Sequence, residues 1–92
     1  MSFMFWYAYA FNQDIQNLDI SNITNMEGMF DGAISFNGDI TGWDTTNVTN
    51  MSRMFYGASS FTRNLSTWNV TNVTNYVDFA TGSGITNPPL FV

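Results

Sequence analysis

Asp14 and Asp39 stand one 25-residue interval apart, and so do Asp19 and Asp44. Carboxylates brought together at a fixed interval suit two kinds of chemistry. They can supply oxygen ligands to calcium, or they can work as the acid/base pair of a carbohydrate-cleaving enzyme. One interval further on, Asn64 and Asn69 take the same places. An amide carries no charge and transfers no proton. The favoured reading of both columns is therefore a solvated polar edge in which Asp and Asn bond locally in turns. Catalysis has little else to draw on, because the chain has no His, Cys or Lys to act as base or nucleophile. The expectation is a non-enzymatic protein without a cofactor, with Asp14, Asp39, Asp19 and Asp44 as the calcium candidates.

Asn and Thr recur at the same interval. Asn22, Asn47 and Asn72 form one column, and Asn25, Asn50 and Asn75 another. Stacked Asn side chains can bond backbone groups that chain pairing leaves open at a corner, so Asn22, Asn47 and Asn72 are read as a structural ladder. The rival reading is glycosylation, since Asn22, Asn47, Asn50, Asn64, Asn69 and Asn72 all head N-x-S/T sequons. The repeat by itself multiplies these sequons. The hydroxyls of Thr24, Thr49 and Thr74 and of Ser21, Thr46 and Thr71 fit β-propensity and capping. A regular hydroxyl array of the ice-binding kind is the alternative.

The element that must position these columns is a repeat. Residues 1–25, 26–50 and 51–75 match without insertion or deletion, and a degenerate fourth copy, 76–92, reads as a C-terminal cap. The whole of 1–92 is read as one domain. Nine apolar columns run through the copies, among them Met4/Met29/Met54, Phe5/Phe30/Phe55 and Phe11/Phe36/Phe61, and only Thr45 breaks the apolar rule. Met26, Met29, Phe30 and Ala33 have the spacing of one helix face. Thr24 with Glu27 looks like a capping box, and Gly32 and Gly57 sit where such a helix would end. Trp68 and Val70 alternate with polar neighbours as in a short strand. Together these predict an α/β solenoid of leucine-rich-repeat-like coils with period 25, each coil one short parallel strand plus one short helix.

The stretch "NMSRMFYGASSFTRNLSTWNVTNVTNY" resembles the BspA-like bacterial surface-protein repeat, which is also found in mycoplasma lipoproteins. That family's pattern, roughly MFxGAxxFNxDIxxWDVSNVTNM, covers residues 1–80. The resemblance implies a leucine-rich-repeat-like, extracellular, non-enzymatic protein associated with adhesion and partner contact. It implies an extracellular, cell-surface or particle-surface location. The chain departs from the family in its few copies and in lacking a lipid-attachment cysteine.

Composition narrows the partners. A net charge of −5 from seven carboxylates and two arginines repels nucleic acid and anionic lipid. The opening "MSFMFWYAYAF" has no positive n-region and is too short to span a bilayer, so it is read as the first coil and membrane insertion is not expected. Within it, Phe3, Trp6, Tyr7 and Tyr9 fall where later copies are mostly small or polar. With Leu90 and Phe91 of the tail they form the expected interface, for a protein partner or a homo-oligomer. Leu90 stands in phase with Leu65, so the tail is expected to fold back over the last coil. Two other readings stand beside the binding module: a subunit that stacks end to end in a filament or virion, and a carbohydrate- or calcium-binding solenoid.

Overall fold

The computed structural model describes residues 2, 4–12 and 14–91. Its backbone follows an alternating rule. In the second copy the N–H groups of Gly28, Phe30 and Gly32 leave their own copy and donate to the carbonyls of Ser52, Met54 and Tyr56, and Met26 in the same register donates to Asn50 at its end, all at 2.8–2.9 Å. The residues between them donate within the copy: Met29 to Met26, Asp31 to Gly28 and Ala33 to Phe30. The third copy repeats this, with Met51, Arg53, Phe55 and Gly57 donating to Asn75, Val77, Phe79 and Thr81. Each copy is thus a run of tight turns laid on the next in the same register.

This overturns the expected α/β solenoid of leucine-rich-repeat-like coils. Among the described residues there is no helix, and strand pairing is confined to single parallel bridges joining Asn25 to Asn50 and Asn50 to Asn75. The helical spacing at Met26, Met29, Phe30 and Ala33 is real but serves turns. A helix needs right-handed φ at every residue and an N–H returned within its own segment. Here φ is positive at Gly28, Arg53 and Asp78, and again at Tyr7, Gly32, Gly57 and Gly82. These are two columns four residues apart. In the turns 26–29 and 30–33, Gly28 and Gly32 hold the third place, where a type II turn requires positive φ. The expected capping box is also absent, because the Glu27 N–H donates to Asn25 Oδ1 at 2.9 Å.

Through the second and third copies the apolar columns form the core, whereas in the first copy Met4 and Leu18 are exposed and Met1 lies outside the described residues. Met26, Met29, Phe30, Ala33, Phe36, Ile40, Trp43 and Val48 are buried, as are Met51, Met54, Phe55, Ala58, Phe61, Leu65 and Trp68 of the next copy. Phe rings stack from copy to copy at centroid distances of 5.4 Å for Phe5–Phe30 and for Phe30–Phe55. A second column, Phe11–Phe36–Phe61, runs beside it at 5.7 and 5.6 Å. The indole N–H groups of Trp43 and Trp68 each reach back one copy, to the carbonyls of Ile15 and Ile40. Thr45 is buried in its apolar column because its hydroxyl donates to the Asn69 carbonyl at 2.9 Å. A buried hydroxyl needs such a partner.

The tail folds back, though not through the residue expected. Leu90 is 80% exposed. Pro89 is buried instead, and Phe91 stacks on Tyr76 at 4.3 Å and meets Phe79 edge-on at 5.0 Å. The Leu65 N–H donates to the Asn87 carbonyl at 3.0 Å, which ties the tail to the third copy.

Gly32 carries a second constraint besides its φ of 75°. A Cβ there would clash with the edge of the Tyr7 ring, whereas one on Gly57, with φ 70°, would meet nothing within 4 Å. An L-residue in this conformation costs ~1–2 kcal/mol. Gly57→Ala should lose about that much in chemical denaturation, and Gly32→Ala clearly more. In a Tyr7→Gly background the excess at position 32 should vanish, which a double-mutant cycle measures.

Candidate functional site

The two aspartate columns lie on the exposed edge, and their carboxylates are occupied locally. Asp19 Oδ1 accepts the Ser21 hydroxyl at 2.6 Å and the Ser21 N–H at 3.0 Å. Asp39 does the same with Thr41, and Asp44 with Thr46. Asp14 accepts the Gln16 N–H at 3.1 Å. These hydroxyl bonds, with the backbone bonds second, hold Asp19, Asp39 and Asp44 below the usual carboxylate range, and nearby Arg63 adds to the effect at Asp39. In the third copy Asn64 and Asn69 accept the Ser66 and Thr71 N–H groups at 2.9 and 3.0 Å. Asp and Asn therefore do one job in these columns, closing a turn. Among the described residues, no three His, Cys, Asp or Glu side chains gather as a metal site would need.

The Asn ladder bridges copies. Asn47 Nδ2 donates to the Ser21 carbonyl and Asn72 Nδ2 to that of Thr46, both at 2.7 Å. The nitrogen that a glycan would take at Asn47 or Asn72 is thus engaged. Asn50 instead accepts locally, from two residues ahead, at 2.9 Å from the Ser52 N–H and 2.8 Å from the Ser52 hydroxyl.

A shallow polar cleft of about 290 Å³ opens on the same edge, lined by Asn12, Asp14, Gln16, Asn37, Asp39 and Arg63, with Gly38 in its wall. It contains a ladder missed from the sequence. Asn12 Oδ1 accepts the Asn37 N–H at 2.9 Å, Asn37 Oδ1 accepts the Thr62 N–H at 3.0 Å, and Arg63 Nε donates to the Asn37 carbonyl at 3.0 Å. The recurrence of Asn12 and Asn37 right after the core phenylalanines was the available signal.

Also unforeseen was a link between the second and third copies. Arg53 Nε donates to Asp31 Oδ2 at 3.0 Å, and its guanidinium lies 3.9 Å from the centroid of the Tyr56 ring. Asp31 is buried, and its Oδ1 has no hydrogen bond.

The first copy presents the aromatic surface. Trp6, Tyr7 and Tyr9 are 53%, 45% and 56% exposed. Their rings run in sequence, with centroids 4.7 Å apart for Trp6–Tyr7 and 5.6 Å for Tyr7–Tyr9. Tyr7 lies over Gly32, so it is partly a lid on the second copy. Phe3, the fourth residue expected here, lies outside the described residues. Of the tail pair, Leu90 faces solvent and Phe91 packs inward.

The depressed aspartates imply an acid limb of known sign. A carboxyl whose folded pKa lies below its unfolded value stabilises the fold fully above that unfolded value, near pH ~3.9. The contribution is lost as pH falls through the folded pKa. The triple change Asp19→Asn, Asp39→Asn and Asp44→Asn keeps the turn acceptor. It should lower the pH 7 melting temperature modestly, because the bonds to charged carboxylates are lost, and flatten its fall below about pH 4. A pH 7 melting temperature equal to that of the unaltered chain would show that the charge adds nothing to these turns.

No curated protein matches this chain, and neither does any solved structure. Residues 1–89 match a family described as "Mycoplasma protein of unknown function, DUF285". With nearly the whole length covered, the chain belongs to that family.

Proposed function

We propose that this protein is a non-enzymatic binding and structural module, displayed outside the cell, that docks a protein partner through its aromatic first copy. The observation that carries this reading is the exposure of Trp6, Tyr7 and Tyr9 together on one end of the stack. Contiguous apolar surface on a small soluble chain marks an interaction site, and Trp and Tyr are the usual anchors of such contacts. The resemblance to BspA-like surface repeats, themselves found in mycoplasma lipoproteins, supports an adhesive setting at the cell surface. The net charge of −5 directs the module away from nucleic acid and anionic lipid.

A glycan-binding reading has one observation in its favour, the cleft that contains Asp14, Asp39 and Arg63. It ranks second because one oxygen of each carboxylate and Arg63 Nε already have partners within the chain.

The docking reading is tested with an apolar dye, anilinonaphthalene sulfonate, at a dilution where light scattering gives the monomer mass. The folded chain should enhance the dye's fluorescence. The Trp6→Ser, Tyr9→Ser variant should lose most of that enhancement while its melting temperature stays close to that of the unaltered chain. Equal enhancement by both chains would remove the first copy as a docking surface.

A further inference from the structure

We infer that the partner of the aromatic first copy is the opposite end of a second copy of this chain, stacked head to tail. This rests on the docking reading above and names its occupant. The observation behind it is polarity. At all three internal junctions of the turn segments, the earlier copy donates N–H groups and the later copy accepts on carbonyls, always in the same register. Phe5 donates to Met29, Phe30 to Met54, and Phe55 to Phe79. The last copy therefore presents donors. The N–H groups of Tyr76, Asp78, Ala80 and Gly82 continue the row and, among the described residues, bond nothing. The first copy presents acceptors, since the carbonyls of Ser2 and Met4 continue the opposite row and, among the described residues, accept no hydrogen bond there.

The two rows fit. Laying a second copy on the last layer with the internal register puts the Asp78 N–H opposite the Ser2 carbonyl and the Ala80 N–H opposite the Met4 carbonyl. An exposed row of unpaired backbone groups is a template for another chain, and this template matches the chain's own other end. Apolar exposure is distributed to suit. Of the exposed large hydrophobic residues, Met4, Trp6, Tyr7, Tyr9 and Leu18 belong to the first copy, and Tyr76, Val77 and Leu90 to the last, leaving only Ile34 in between. The contact is smaller than the internal ones. Phe79 turns edge-on to Phe55, and Phe91 closes over it, so the aromatic column is capped and the turn segment 76–82 is what stays open. An end-to-end contact between unlike faces does not close on itself unless the rotation returns, so it builds open chains.

The test uses two variants of the full chain. Met4→Glu with Tyr9→Glu blocks the first-copy face, and Val77→Glu with Leu90→Glu blocks the last-copy face. All four positions are exposed, and circular dichroism checks that each variant melts like the unaltered chain. In light scattering, the unaltered chain should rise above its 10.4 kDa monomer mass with concentration. Each variant alone should stay monomeric. An equimolar mixture of the two, having one free face of each kind, should give a dimer of twice the monomer mass and nothing larger. A mixture that stays monomeric overturns the inference, as does a variant that associates alone as the unaltered chain does. Amide exchange on the unaltered chain reads the register even if a variant misfolds. The Asp78 and Ala80 amides should exchange several-fold more slowly in concentrated than in dilute solution, and rates independent of concentration overturn the pairing. Dye binding without self-association would leave the docking surface standing and reject only this occupant.

Discussion

The fold depends on how successive backbone N–H groups divide their allegiance. One donates to the next copy and its neighbour closes a turn within its own copy, so no continuous segment of regular structure forms. Such alternation requires the backbone to reverse every few residues. The two columns of positive φ supply the reversals, with glycine in most places and Tyr7, Arg53 and Asp78 in the others. Buried polar groups must find partners, and here the inter-copy bonds provide them without a sheet. A single copy would leave half of these groups unpaired, so each layer is a condition for the next.

The side chains follow the backbone's repeat. With every layer in register, identical residues lie above one another, and the phenylalanine, tryptophan and asparagine columns each turn that coincidence into a contact. Aromatic rings at such spacings contribute beyond the area they bury. The asparagines and the tryptophan indoles reach one copy back, against the direction of the turn-segment bonds. The stack is therefore held by donors pointing both ways along its axis. Its ends differ accordingly: the turn segment offers carbonyls at one and N–H groups at the other.

The polar edge is as regular as the core but does quieter work. Asp19, Asp39 and Asp44 spend an oxygen on the hydroxyl and amide two residues ahead, and in the third copy Asn69 accepts the amide of Thr71. What distinguishes the ends is aromatic exposure rather than charge. Functional interest therefore moves from the carboxylate columns, where sequence spacing first directs it, to the first-copy surface around Trp6 and Tyr9.

The period, the apolar columns and the membership of the core were legible in the sequence, because equivalent burial in each layer selects equivalent residues at Met26 and Met51, Phe30 and Phe55, Phe36 and Phe61. The Asn22/Asn47/Asn72 column was legible as structural for the same reason. The conformation of the copies was not. An apolar spacing of three and four residues fits a helix face, and it equally fits turns that bring every third or fourth side chain inward. Periodicity reports which way side chains face and is silent on where each N–H finds its acceptor. That choice belongs to the tertiary structure, since half of the acceptors lie a whole copy away. The same holds for Arg53 reaching Asp31 and for Phe91 rather than Leu90 closing the tail. These pairings depend on which layers and which faces meet, and no local pattern encodes that.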